Sequence, residues 1–416
     1  MNEGPRATNW GQFRLVIGMS VFQSLIWGLV ISMFPLFARE LGADELAIGM
    51  LAAVHPLLSV LGAVPMGFLA NRVSRRGMFV LAYGLSTLAA LAYSLVTSPA
   101  ALILPQVLFG LSVVAYWPTQ HAHVSDNVDP AQRSRLFGLS MGLTSFGGMI
   151  GPVLAGRIAD SLGFQAMYLF YALVTVVGLV MCSRVREPVE ECGEAAGAPG
   201  PNLAATRGLL ARPSLRFVML STIAMFVQWG MRDTFLPLYA ADLNLTRTAV
   251  GALATFHTLS MSATRLSLVL LGQRAPVGRS ILAFVTVSAV ATLAVPAIGS
   301  FLPLAVVYVL AGIGSGASVP ISLANVANVT SRRERPMAMS LQTAASASGR
   351  LFSSIGFGWF ASRAGVPAVF LVGNVLVLAA VLGLTRLRTP GLDTDPAAGP
   401  VAGEAGERKD KPAVVG

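Results

Sequence analysis

Apolar residues in this chain come in long runs. They show neither the short alternation of strands nor the one-sided stripe of soluble helices. Twelve runs are separated by short polar breaks, at about 13–37, 46–70, 78–97, 101–126, 134–158, 164–184, 215–241, 247–272, 280–298, 302–328, 337–361 and 366–386. At 1.5 Å per residue, each is long enough to cross roughly 30 Å of hydrocarbon as a helix. The pattern predicts an all-α membrane protein with twelve transmembrane helices. An even number of crossings puts both termini on one side. Residues 187–213 interrupt the pattern, are rich in Gly, Ala, Pro and Glu, and read as a flexible linker. The tail 389–416 reads as disordered. Met1 to Gly11 is polar and has no cleavage signal, so the first run reads as a retained span.

Composition agrees with the pattern. The chain of 416 residues is 54% hydrophobic and 12% charged, whereas a soluble domain has about 25% charged residues. The net charge of +10 comes mostly from arginines flanking the runs, so it does not point to nucleic acid. Arg39, Arg157, Arg247 and Arg363 fall in loops of one face, Arg232, Arg265 and Arg350 fall inside runs, and the other basic residues fall on the opposite face and the termini. The positive-inside bias makes that opposite face, the linker and both termini cytoplasmic. Cys182 and Cys192 lie at or beyond the inner end of a span. No structural disulfide is expected there, and neither has a metal-ligand partner in sequence.

The two halves of the chain repeat each other. An offset of 202 residues places Trp27-Gly28 on Trp229-Gly230, Pro35-Leu36 on Pro237-Leu238, Gly49 on Gly251 and His55 on His257. It also places Arg72 on Arg274, Gly110 on Gly312, Pro118 on Pro320, Arg133 on Arg335, Gly156 on Gly358 and Gly163 on Gly365. Matches of Trp, His, Pro and Arg at one constant offset are far more informative than matches of Leu or Ala. Six spans repeated in the same orientation predict two six-helix bundles related by a pseudo-two-fold axis along the membrane normal. The expected division is a first half 1–186, a cytoplasmic linker 187–213, a second half 214–388 and the tail 389–416.

The loop Gly67-Phe68-Leu69-Ala70-Asn71-Arg72-Val73-Ser74-Arg75-Arg76 joins the second and third runs. It resembles the Gly-x-Leu-Ala-Asp-Arg-x-Gly-Arg-Arg signature of the major facilitator superfamily, with Asn71 and Ser74 departing from the pattern. Gly142, Gly147, Gly148, Gly151-Pro152 and Gly156 in the fifth run resemble the Gly-x-x-x-Gly-Pro motif of facilitator antiporters. Small residues at that spacing also serve ordinary close packing of helices. The resemblance covers nearly the whole chain. It implies a secondary transporter of a bacterial-type inner membrane that moves a small organic solute by alternating access, with proton-coupled export the leading reading. Exporters of this superfamily often carry Arg where Gln106 stands, and that departure weakens a standard proton relay. Uptake or facilitated passage of an anionic metabolite, or a non-transporting sensor on the same fold, are the alternatives.

The candidate residues fall into three groups. Gly67, Asn71, Arg72, Arg76, Asp126 and Arg133 match positions that the resemblance implies for a cytoplasmic gate. Gly147, Gly151 and Pro152 are candidates for interface packing. The substrate and coupling candidates are Arg232, Asp233, His257, Arg350, His55, Tyr116 and Gln120. Ionisable groups at bilayer depth are expensive and face a cavity or a partner. Arg232 and Asp233 lie about nine residues from the outer end of their run, roughly 13 Å deep, and His257 lies at similar depth in the next run. Under the 202 offset the embedded charges have apolar or glycine counterparts, so charge is confined to the second half. Three embedded arginines against one aspartate favour an anionic or acceptor-rich substrate. His121 and His123 are two apart, point to different helix faces and make a poor metal pair. No phosphate-cradling loop, nucleophile–base constellation or cofactor motif appears, so the reading is not an enzyme. The expected partners are the substrate, protons and the lipid bilayer, with the protein a monomer.

Overall fold

In the computed structural model, residues 8–128, 133–186, 203–271, 277–330 and 334–386 are described. They are almost entirely helical. The helices are α1 (Trp10–Glu40), α2 (Glu45–Arg72), α3 (Arg75–Leu95), α4 (Ile103–Asp126), α5 (Arg133–Cys182), α6 (Leu203–Ala211), α7 (Pro213–Asp242), α8 (Arg247–Leu271), α9 (Val277–Leu293), α10 (Phe301–Val329), α11 (Arg335–Ala364) and α12 (Val366–Arg386). α5 holds two of the expected apolar runs, and its helical geometry breaks between them at Gly163, with φ +84°. Among the described residues, eight helical segments are long and apolar enough to cross a membrane. Of the long helices, α8, α10 and α11 are not among them: α8 and α11 carry Arg265 and Arg350 and many Ser and Thr, and α10 contributes only a shorter apolar stretch, Phe301–Gly316. Leu95, Leu162, Leu302 and Leu382 are exposed on the outside of the bundle, as a hydrocarbon solvent requires.

Local chemistry explains the helix boundaries. Asp44 caps α2 by accepting from the Ala47 N–H at 2.8 Å, and Ser74 caps α3 by accepting from the Gly77 N–H at 3.0 Å. The capping role gives Ser74 a physical reason to stand where the signature has Gly. Left-handed backbone occurs, among the described residues, at Gly42, Gly163, Asn244 and Gly365. These are residues that tolerate it, and they form two pairs separated by the 202-residue offset. The second part of the stretch read as a linker is helix α6 (Leu203–Ala211), since Leu and Ala dominate it and favour helix. Residues 187–202, with Cys192, and the tail 387–416 lie outside the described residues.

Packing repeats in the same way. α1 lies against α5 and α7 against α11; α2 packs on α11 and α5 on α8; α2 meets α4 and α8 meets α10. A Cβ on Gly147 would overlap the carbonyl of Val21, and one on Gly349 would lie 2.6 Å from the carbonyl of Ile223. Gln120 Nε2 donates to Ser140 Oγ at 3.4 Å. At the two equivalent positions the residues are exchanged, and Gln342 Nε2 donates to Ser322 Oγ at 2.9 Å.

Candidate functional site

A cavity of about 270 Å³ lies among α1, α4, α5, α7, α8, α10 and α11. Its wall from α1, α4 and α5 is neutral. Ser24, Ser32, Ser140, Thr144 and Ser145 supply hydroxyls, Trp27 and Trp117 supply indoles, and Gln120 and His121 complete it. On α4 the lining residues Trp117, Gln120 and His121 follow i, i+3, i+4 spacing, one helix face. The facing wall is charged, with Arg232, Asp233, Arg265, Arg350 and His257, and Tyr308 beside them.

Arg232 is fully engaged. Its Nε and Nη2 both donate to Asp233 Oδ1, at 3.0 and 2.6 Å. Its Nη1 contacts His257 Nε2 and donates to Ser315 Oγ at 3.4 Å. A guanidinium offers only N–H donors, so in this contact His257 Nε2 can serve only as acceptor. Arg350 is held differently. Its guanidinium carbon lies 5.7 Å from the Trp27 ring, 5.1 Å from Phe226 and 5.3 Å from Trp229. The rings partly offset its charge through their quadrupoles, and among the described residues its guanidinium makes no ion pair. Arg265 Nη2 reaches Met261 Sδ at 3.5 Å, a weak acceptor, and its Nε is buried without a partner. Among the described residues, neither Arg265 nor Arg350 lies within ion-pairing distance of a carboxylate.

The structure brings Arg232, Asp233, His257, Arg350 and Gln120 to one cavity. Two other candidates lie outside it. Tyr116 does not line it: the residue is fully buried, its hydroxyl donates to Ser20 Oγ at 3.1 Å, and its ring packs on Phe79 and Tyr83 of α3. His55 lies one layer away. It lines a second, smaller cavity of about 40 Å³ shared with Gln106, Asp233 and Arg350, and its ring meets Trp27 edge-on at 5.0 Å.

Pro152 lines the main cavity, while Gly147 and Gly151 lie against the backbone of α1 so closely that a Cβ would overlap Val21 and Leu25. A Cβ on Gly251 of α8 would overlap the Pro152 carbonyl in turn. This part of α5 therefore fits α1 on one side and α8 on the other. Of the gate candidates, Arg76 is exposed in the first turn of α3. The side chains of Gly67, Asn71, Arg72, Asp126 and Arg133 lie outside the described residues.

Sequence reasoning noted Arg265 as an embedded charge but did not assign it to the site. It also missed the Trp27, Phe226 and Trp229 cage. The recurrence of Trp-Gly at the 202 offset was its available signal.

A polar cluster gathers residues from the ends of α1, α7 and α8, the start of α2 and the middle of α5. Arg39 Nη1 donates to Asp242 Oδ1 at 2.6 Å, and its Nη2 pairs with Glu45 at 3.3 Å. Arg247 pairs with Glu40 and donates to the Ala159 carbonyl at 2.6 Å. Asp160 accepts from the Arg247 and Thr248 N–H groups at 3.1 and 2.8 Å, and from Thr248 Oγ1 at 2.6 Å. These contacts tie α1 to α7 and α8, α5 to α8, and α2 to α1. Among the described residues, no group of three or more His, Cys, Asp or Glu is placed to hold a metal ion.

A family model described as Major Facilitator Superfamily matches residues 16–242 and 218–413. A multidrug resistance protein MdtG of Salmonella typhimurium is 26% identical over 174 residues, covering 40% of this chain and 43% of that protein. A staphyloferrin B transporter of Staphylococcus aureus is 24% identical over 266 residues, 60% of each chain. The chain thus matches less than two thirds of the length of these relatives. A crystal structure of the nucleoside transporter NupG superposes with a TM-score of 0.76 at 12% identity, covering 91% of this chain and all of that one. At that identity the likeness speaks for the fold alone.

Proposed function

The chain belongs to the major facilitator superfamily, and from that premise we propose that it is a proton-coupled secondary transporter. In this reading it exports a small anionic organic solute across a bacterial inner membrane by alternating access. The observation that carries the reading is the cavity between two groups of helices, neutral on one wall and arginine-rich on the other. Charged groups at that depth are costly unless they serve a ligand or an ion.

Twelve crossings in two bundles are part of the same proposal. The apolar segment Leu139–Cys182 has 44 residues, about 66 Å as continuous helix. That is twice the hydrocarbon thickness, and the break at Gly163 divides it into two crossings. The paired left-handed residues and the exchanged Gln–Ser hydrogen bonds support a two-fold relation between residues 1–186 and 214–388. Both termini and the 187–213 linker are assigned to the cytoplasm, and the polar cluster of Arg39, Asp242, Arg247 and Asp160 to the outer face. Those contacts support an outer end that is closed in this conformation.

Asp233 is assigned the coupled proton, with His257 as the second candidate. Asp233 is the one carboxylate among the described residues lining the cavity, and protonating it would release Arg232. The name of one relative, a staphyloferrin B transporter, adds support for a metabolite cargo, while MdtG supports export. The test is flux in proteoliposomes. Inside-out orientation with an imposed pH gradient should drive anion accumulation, and Asp233→Asn protein should bind but not concentrate it. Equal flux with and without the gradient would refute proton coupling.

A further inference from the structure

The three arginines of the cavity are not equivalent, and the difference specifies the ligand's charge. Arg232 is neutralised by Asp233 through two hydrogen bonds and also contacts His257. Arg265 and Arg350, on α8 and α11, have no carboxylate within ion-pairing distance among the described residues. Arg350 is instead steadied by three aromatic rings, and Arg265 by a thioether. Neither partner uses up a guanidinium's capacity for charged hydrogen bonds. Two further donors on this wall are buried without partners, Arg265 Nε and the indole Nε1 of Trp229. The opposite wall carries no charged side chain among its described lining residues, so the ligand's charge is read by the second half alone.

We propose that the ligand is a dianion with an apolar or aromatic body, a dicarboxylate or a phosphate monoester. Arg350 and Arg265 each take part of its charge, while Arg232 stays with Asp233. The excess of two positive charges in the cavity is then matched. The Trp27, Phe226 and Trp229 rings that steady Arg350 also offer faces to the ligand's body. A monoanion leaves one guanidinium desolvated without a counter-charge, and that cost discriminates against it. The proposal takes its biological meaning from the transport reading. Its test measures binding alone, so either can fail without the other.

The full-length protein, purified in detergent at pH 8, is titrated with phthalate, phenyl phosphate, benzoate, uncharged dimethyl phthalate and cationic benzamidine, following affinity by calorimetry. At least one dianion should bind more tightly than benzoate, and the ester and the cation should bind weakest. Preference for phthalate assigns a dicarboxylate; preference for phenyl phosphate assigns a phosphate monoester. Arg350→Gln and Arg265→Gln should each weaken the dianion by about ten- to a hundredfold and bring it level with benzoate. Arg350→Lys should weaken binding yet keep the order of preference, and it remains informative if Arg350→Gln does not fold. Wild-type binding of the ester or the cation as tight as that of the dianions would overturn the proposal. So would failure of both dianions to bind at millimolar concentration, or an unchanged dianion preference in Arg265→Gln.

Discussion

Asp160→Ala tests the proposal that the end of the bundle assigned to the outer face is held closed by specific contacts between the two halves. The first turn of any helix leaves four N–H groups without intrahelical partners. In α8 side chains satisfy three of them, the N–H groups of Arg247, Thr248 and Ala249: Thr246 takes Ala249 N–H through its hydroxyl at 3.2 Å. Asp160, from α5, takes the other two, and the Thr248 hydroxyl as well. It thus acts as a cap supplied by another helix, and its negative charge meets the positive end of the α8 dipole. Losing such a cap costs about 0.5–2 kcal/mol. The contact is at the surface, so water replaces part of it, and about 1 kcal/mol is the reasonable centre. An opened outer end has already lost these bonds, so the substitution penalises only the closed form. The ratio of open to closed molecules should rise about fivefold. Spin labels at Leu162 and Leu302, in a background lacking Cys182 and Cys192, report the separation of the two halves by pulsed dipolar spectroscopy. The long-distance population should grow in Asp160→Ala, and adding Thr248→Ala should then change it little further, because the two share one interaction. An identical distance distribution in wild type and Asp160→Ala would refute the reasoning.

Three other outcomes are expected. Gly251→Ala drives a Cβ into the Pro152 carbonyl; overpacking of this kind costs about 1–3 kcal/mol, so its melting temperature in detergent should fall, whereas Gly84→Ala, with nothing within 4 Å of its Cβ, should not change it. Asp233→Asn leaves Arg232 with a neutral partner, and with these side chains 21% and 11% exposed the cost should be about 1–3 kcal/mol, less than for a fully buried pair; Asp233→Glu should recover most of it in the same melting assay. Arg72→Ala should slow flux in proteoliposomes while leaving equilibrium ligand affinity within about twofold, and a large loss of affinity would move Arg72 from the gate to the binding site.

Long-period features were legible in the sequence because the bilayer imposes them. Each crossing needs about twenty apolar residues, so run lengths gave the helices α1 to α5 and α7 to α12 within a few residues. The constant 202-residue offset was visible because Trp, Pro, Gly and His are hard to match by chance. Embedded charge also stood out, and Arg232, Asp233, His257 and Arg350 were marked by depth alone. Which side chains face one another required the tertiary structure. Tyr116 and Gln120 lie four apart, yet only the packing of α4 against α3 and α2 leaves the first buried against Phe79 and Tyr83 and the second at the cavity. The aromatic cage joins Trp27 of α1 to Phe226 and Trp229 of α7 around an arginine of α11. The cap on α8 comes from Asp160, 87 residues before the first N–H it accepts. A linear sequence carries the cost of burying each group, but the compensating partner is chosen by helix packing and depends on register, rotation and close approach at glycines such as Gly147 and Gly251.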